Sequence, residues 1–200
     1  GLEKWFQSIN LDSVHIPNLV RINPSTLEPS NVSDHVGIWL SGSSNYRKMP
    51  YAMLLATNLM PGVKLSASGI DDISTKMISD LNIPFRNIYK KAISKKNLDK
   101  NIKSTGLTLY VTLSECSPMV PLESFALGVP CLVGPSSHLF KDHKKLSELL
   151  IVKRPLDPSL IAEKANFAIQ NQHQIIELYK NEAYPEMEKK VDEALARFTS

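Results

Sequence analysis

From Val36 onward, short apolar runs alternate with stretches whose apolar residues recur at helical spacing, and no other feature narrows the fold as much. A helix between two buried strands forces a crossover connection, so repeated strand-helix units wind into a parallel sheet with helices on both faces. The pattern predicts strands over 36–41, 63–67, 86–92, 107–113, 130–134 and 149–153. Helices are predicted over 50–60, 71–81, 95–104, 119–128, 138–149 and 158–170. Six strands and six helices make one doubly wound, six-stranded, Rossmann-like α/β domain.

Local chemistry supports several of these boundaries. Proline at a first helical position loses a donor that has no intrahelical partner and already holds a helical φ, which suits Pro50, Pro121, Pro158 and Pro185 at or near helix starts. Asp71-Asp72 reads as an N-cap followed by an acid favoured by the helix dipole. Ile73, Met77, Ile78 and Leu81 share a helical face and are expected in the core, as is Trp39 within its strand.

The ends depart from the repeat. Residues 1–35 carry a short helical stretch, then Val14-His15-Ile16-Pro17-Asn18, then a Pro/Ser-rich linker, and read as an interdomain linker with the remnant of a preceding domain. Residues 36–180 form the Rossmann-like domain. Residues 181–200 place Met187, Val191, Leu195 and Phe198 at helical spacing, a C-terminal amphipathic helix expected to pack toward the preceding domain.

Composition excludes several classes. No apolar run approaches the roughly 20 residues of a membrane span. Twenty-three basic against twenty acidic residues give a net charge of +3, and although 90–103 is rich in lysine, nucleic acid is not the expected partner. Those lysines read as a solvated surface, with membrane contact as the alternative. Cys116 and Cys131 stand in no CxxC or Cys/His spacing, so neither a disulfide framework nor a zinc site is expected, and a reducing cytoplasm is the simplest location.

The segment 114–134 carries the chemistry. It follows a buried strand and leads into a helix, and in open α/β sheets such loops at the carboxyl ends of strands bind ligands. The N-terminal amides of the helix, those of Met119, Val120 and Leu122, favour an anion, and a phosphate is the natural guest. Glu115 lies at the strand end and Glu123 in the helix's first turn. Two readings of the pair stay open from spacing alone: a solvated loop acid with a first-turn acid, or two carboxylates holding the hydroxyls of one ligand that carries phosphate between two polyols. His138 sits in the next strand-to-helix loop, within reach of sugar or phosphate, or simply exposed.

The string Glu115-Cys116-Ser117-Pro118-Met119-Val120-Pro121-Leu122-Glu123, followed by Gly128-Val129-Pro130 and an apolar strand, resembles the E-x7-E signature of retaining GT-B glycosyltransferases, notably glycosyltransferase family 4. Val14 to Asn18 is similar to that family's interdomain linker, with Leu19 in place of the usual glycine. Val36 to Gly42 resembles the first strand of its C-terminal domain, and Lys48 falls where the family places a lysine on the donor diphosphate. The family's arginine, five residues earlier, is Ser43 here, and two readings stay open: Arg47 takes over its charge, or the diphosphate is held with one cation fewer.

The resemblance implies the donor-binding domain of a retaining, metal-independent hexosyltransferase acting on a nucleotide diphosphate sugar. Glu115 and Lys48 would be catalytic. Glu123 would hold the ribose and Met119 and Val120 amides the phosphate, with Arg47, Ser43, Gly42, Ser117 and His138 completing the donor site. No cofactor is implied. The expected partners are the donor, a glycan or lipid-linked acceptor and a preceding acceptor-binding domain, without which the isolated domain would be inactive. Surface polysaccharide or glycolipid synthesis is the expected setting, in the cytoplasm or peripherally at the inner face of the plasma membrane. A sugar-nucleotide epimerase of the same fold and a non-catalytic sugar-nucleotide-binding subunit are the alternatives.

Overall fold

The computed structural model describes residues 5, 6, 8, 9, 13–41, 45–115 and 118–199. Its centre is a five-stranded sheet in which every pairing is parallel. The strands are β1 (His35–Trp39), β2 (Lys64–Ser68), β3 (Phe85–Tyr89), β4 (Leu107–Tyr110) and β5 (Cys131–Val133), in the order β3-β2-β1-β4-β5. The expected sixth strand contracts to one bridge, Ile151 to Val133. Helix α6 (Lys144–Leu150) runs up to Ile151 and the chain turns at Leu156 toward the next helix, which leaves no extended stretch to pair.

The order reverses direction between β1 and β4, neighbours in the sheet but 67 residues apart from Lys48 to Glu115, the side chains that follow them. Loops leaving the carboxyl ends of such a pair diverge to opposite faces and open a crevice, which is where open α/β sheets bind ligands. Fold topology alone therefore selects the segments after β1 and β4.

Alternation along the strands sends Val36 and Ile38 to one face and Gly37 and Trp39 to the other. On the first face, α2 (Pro50–Asn58) contributes Met53, Leu54 and Ala56 to the main core, α3 (Asp72–Asp80) contributes Ile78, and α7 (Pro158–Gln170) contributes Ile161, Ala165 and Ala168. On the second face, Trp39 packs with Ile102 of α4 (Lys95–Lys103) and with Val129 beyond α5 (Met119–Ala126). Gly37 makes this packing available: a Cβ there would stand 2.4 Å from the Trp39 ring.

Capping follows the sequence in part. Asp71 accepts from the Ser74 amide at 2.7 Å and from the Tyr51 hydroxyl at 2.8 Å, and Asp157 accepts from the Leu160 amide at 3.0 Å ahead of Pro158. Pro50 and Pro158 open their helices, whereas Pro121 is the third residue of α5. That position costs nothing, because its amide would still precede the first intrahelical bond.

Three expectations change. Ile73 is exposed, since α3 seats Ser74 and Ile78 against the sheet and Ile73 lies about 100° around the helix from Ser74. The helix expected from 138 begins only at Lys144: His138 takes a left-handed backbone (φ 56°) and Phe140 turns inward onto Phe125, so the intervening residues cannot be helical. The C-terminal helix does not start afresh at Pro185. It continues from α8 (Gln172–Leu178) through a π-turn (Tyr179–Ala183) into α9 (Tyr184–Thr199). Proline lacks an amide and crowds the carbonyl one turn back, and the widened turn, closed by the Tyr184 amide on the Tyr179 carbonyl, absorbs both.

The segment before β1 lies against α9. Arg21 pairs with Glu188 at 2.9 Å and Asp192 at 2.8 Å, and the Ile22 amide donates to the Tyr184 hydroxyl at 3.3 Å. Met187 and Val191 turn inward, while Leu195 and Phe198 remain exposed. No helix among the described residues is long and apolar enough to cross a membrane.

Candidate functional site

Beyond β1, the short helix α1 (Asn45–Lys48) ends in a left-handed residue, Met49 (φ 48°), before Pro50 begins α2. A methionine in that conformation costs about 1 kcal/mol. The turn aims Lys48 back over the sheet edge rather than outward. The Leu113 amide donates to the Arg47 carbonyl at 2.8 Å, which fastens the loop after β1 to the loop after β4.

That fastening brings Lys48 to Glu115. Lys48 Nζ bonds Glu115 Oε1 and, at 2.5 Å, the hydroxyl of Tyr110, the last residue of β4. Tyr110 in turn lies 3.1 Å from the same Glu115 oxygen, and the Lys48 ammonium stands 4.8 Å above the Tyr110 ring. Both charged side chains are about nine-tenths buried. Burial first, and the Glu115 charge second, push the Tyr110 phenol well above its usual pKa, so it stays protonated. Arg47 is half-exposed, with Nη1 3.3 Å from the Ser114 carbonyl and 3.8 Å from Glu115 Oε2.

The backbone of Glu115 is held as well. Its amide donates to Ser136 Oγ at 3.0 Å, and Ser136 donates to the Leu113 carbonyl at 3.1 Å, so the loop after β5 braces the loop after β4. Gly134 lets those loops approach. A Cβ on Gly134 would lie 1.8 Å from the Thr112 carbonyl oxygen.

The N-terminus of α5 lies just past this cluster. Pro118 at the N-cap makes no side-chain cap, so the first-turn amides are not satisfied in the usual way and are suited to an anion. Met119 is exposed there, and Val120 is partly buried against both packing clusters. Glu123, expected in the first turn, is instead the fifth residue of α5, because the helix begins at Met119; it is mostly buried and stands 3.6 Å from Lys95. Lys95 also pairs with Asp99; burial lowers the lysine pKa, but the two carboxylates more than offset it. Between these helices and the strand ends runs a narrow groove of about 120 Å³, lined by Trp39, Ser41, Ser68, Ala92, Ile93 and Val120.

Of the residues singled out by sequence, Lys48, Arg47 and Glu115 come together directly, and Met119, Val120 and Glu123 share the adjoining helix. Gly42, Ser43, Cys116 and Ser117 lie outside the described residues. His138 faces a separate groove of about 370 Å³, with His15, Ser137, Asp142 and Lys190. Cys131 is fully buried in β5, where burial pushes its thiol up, which suits a small apolar filler rather than a nucleophile. Tyr110, Ser136 and Lys95 were not legible as site residues. The available signal for Tyr110 was a polar-tipped aromatic ending an otherwise aliphatic and threonine strand, five residues before Glu115.

The cluster and groove lie on a fold found in known structures. It is the Rossmann-like fold of one half of a GT-B structure. Anabaena HepE, solved with UDP and glucose, superposes with a TM-score of 0.66 at 13% identity, over 95% of this chain and 56% of that one. S. aureus TarM gives 0.65 at 15% identity, over 95% of this chain and 38% of that one. The catalytic domain of Helicobacter pylori cholesterol-alpha-glucosyltransferase gives 0.55 at 14% identity, over 82% of this chain and 99% of that one. The chain thus spans about half or less of HepE and TarM. The sequence matches no protein-family profile and no curated protein sequence.

Proposed function

We propose that this chain is the nucleotide-sugar-binding half of a glycosyltransferase. The observation that carries the reading is the buried Lys48-Tyr110-Glu115 cluster at the β1/β4 crossing, beside the uncapped start of α5. A buried cation and a buried carboxylate next to a helix N-terminus suit a ligand that is anionic on one side and rich in hydroxyls on the other. A nucleotide diphosphate sugar is such a ligand. The complexes of HepE with UDP and glucose and with UDP-glucose make UDP-sugars the first donors to try.

In this reading the diphosphate lies over the α5 amides of Met119 and Val120, and Lys48 with Arg47 neutralises the charge that grows on it as the glycosidic bond breaks. Arg47 supplies the second cation that Ser43 cannot. Glu115 takes the sugar hydroxyls. Glu123 takes the ribose hydroxyls, and the base enters the groove between Trp39 and Ile93. Because two side-chain cations and the helix amides meet the diphosphate charge, the reading requires no metal. Retention at the anomeric carbon, a hexosyl donor and a glycan or lipid-linked acceptor belong to the same proposal, as does a preceding domain that holds the acceptor, without which transfer is negligible.

Calorimetric titration with UDP, GDP and ADP is the test. Binding of one of them with a dissociation constant below a millimolar is expected, weakened about tenfold by Lys48→Met through loss of one charge-assisted hydrogen bond. Absence of binding by all three at millimolar concentration sinks the reading.

A further inference from the structure

Tyr110 is the one group in the buried cluster with no part in the scheme above. Its hydroxyl stands between Lys48 Nζ, at 2.5 Å, and Glu115 Oε1, at 3.1 Å, and its ring lies beneath the same ammonium. The direction of these bonds is forced. An ammonium only donates and a carboxylate only accepts, so the phenol accepts from Lys48 and gives its single proton to Glu115.

The donor's diphosphate competes for Lys48. When the lysine turns toward phosphate, Glu115 loses its nearest counter-charge, and what remains is Arg47, half-exposed at 3.8 Å, together with Tyr110. A carboxylate nine-tenths buried needs a donor that does not leave with the ligand. Arg47 is itself a candidate for the diphosphate. The tyrosine is anchored at the end of β4, 5% exposed, with no charge for phosphate to attract.

We infer that Tyr110 is a positioning residue for sugar recognition: its hydroxyl fixes the Glu115 carboxylate toward the donor sugar while Lys48 is engaged by the diphosphate. The inference rests on the donor-site reading above. It assigns Tyr110 to the sugar half of the ligand and not to the nucleotide half. Burial first, and the Glu115 charge second, hold the phenol's pKa high, so the hydroxyl keeps its proton through the neutral range.

The test is Tyr110→Phe, which keeps the ring and removes the hydroxyl. Affinities are measured for the pairs UDP and UDP-glucose, GDP and GDP-mannose, and ADP and ADP-glucose, and the pair bound most tightly by the unmodified protein is followed. The expected result is an affinity for the nucleotide sugar lowered about tenfold, with that for the free nucleotide diphosphate changed less than threefold. In a Glu115→Ala background, Tyr110→Phe is expected to add no further loss for the nucleotide sugar, since the hydroxyl acts through that carboxylate. Equal weakening of sugar-bearing and sugar-free ligands assigns Tyr110 to the nucleotide half and overturns the inference, as does an undiminished Tyr110→Phe effect without Glu115. If the unmodified protein binds none of the six ligands, the donor-site reading fails first and takes this inference with it.

Discussion

Replacing Lys48 with Met removes one charge from the buried cluster and keeps the shape of the stem. It leaves Glu115, 9% exposed, as a charge whose nearest partner has gone. Breaking a buried pair from one side costs about 3–5 kcal/mol when nothing else contacts the stranded group. Here the Tyr110 hydroxyl at 3.1 Å and the Arg47 guanidinium at 3.8 Å remain. The tyrosine offsets about 1.5 kcal/mol, as a hydrogen bond to a charged acceptor, and the half-exposed arginine about 0.5 kcal/mol. The expected loss is therefore about 2 kcal/mol. With a urea m-value of about 2 kcal/mol/M, the unfolding midpoint falls by about 1 M. Adding Glu115→Gln removes the stranded charge and is expected to restore at least half of the loss, because a neutral amide leaves no charge to strand and its oxygen still accepts from Tyr110. A double variant no more stable than Lys48→Met refutes the reasoning: it means that Glu115 does not depend on the lysine for its burial.

Two further outcomes are expected. Gly134→Ala forces a Cβ to within 1.8 Å of the Thr112 carbonyl, so the loop after β5 must lift and Ser136 must release Glu115; stability falls by about 3 kcal/mol in thermal unfolding, and nucleotide-sugar affinity falls with it. A melting point unchanged within 2 °C, on a scale of roughly 2–4 °C per kcal/mol, removes the close approach from the account. His35 is fully buried, with its ring nitrogens 2.7 Å from the Ser104 carbonyl and 2.8 Å from Ser66 Oγ, and burial depresses its pKa despite the Ser104 contact. The unfolded chain then binds a proton that the folded one refuses, so stability is full above about pH 6.5 and declines as pH falls from there toward the depressed folded pKa. His35→Gln is expected to flatten that decline, and a slope in urea midpoints that survives the substitution assigns it to other groups.

The sheet was legible in the sequence because buried parallel strands leave continuous apolar runs, as Leu107 to Leu113 does, and because the helices between them carry period and start signals, as at Asp71 and Pro158. The loops were less legible. The left-handed backbone at His138 and the inward turn of Phe140 depend on what Phe125 offers from another element, and no local signal announces that. The same holds at the site. Glu115 stands out as a charged residue at a strand end, and Lys48 and Glu123 through the family resemblance of their segments, whereas Tyr110, Ser136 and Lys95 acquire their significance from contacts across 62, 21 and 28 residues of chain. Ile73 shows the limit of periodicity: it identifies a face but not how far the helix is rotated when it seats.

The junction between the loops after β1 and β4, tied by the Leu113 amide on the Arg47 carbonyl, has a consequence for how the site is made and lost. Neither loop has its partner until the central strand pair has formed, and that pair closes a long stretch of chain that also contains β2 and β3. Assembly of the cluster is therefore a late, non-local event, and any opening that parts β1 from β4 dissolves it entirely rather than loosening it by degrees. The Leu113 amide exchanges its hydrogen only when that junction opens, which makes its protection a direct gauge of the fraction of molecules holding a complete site.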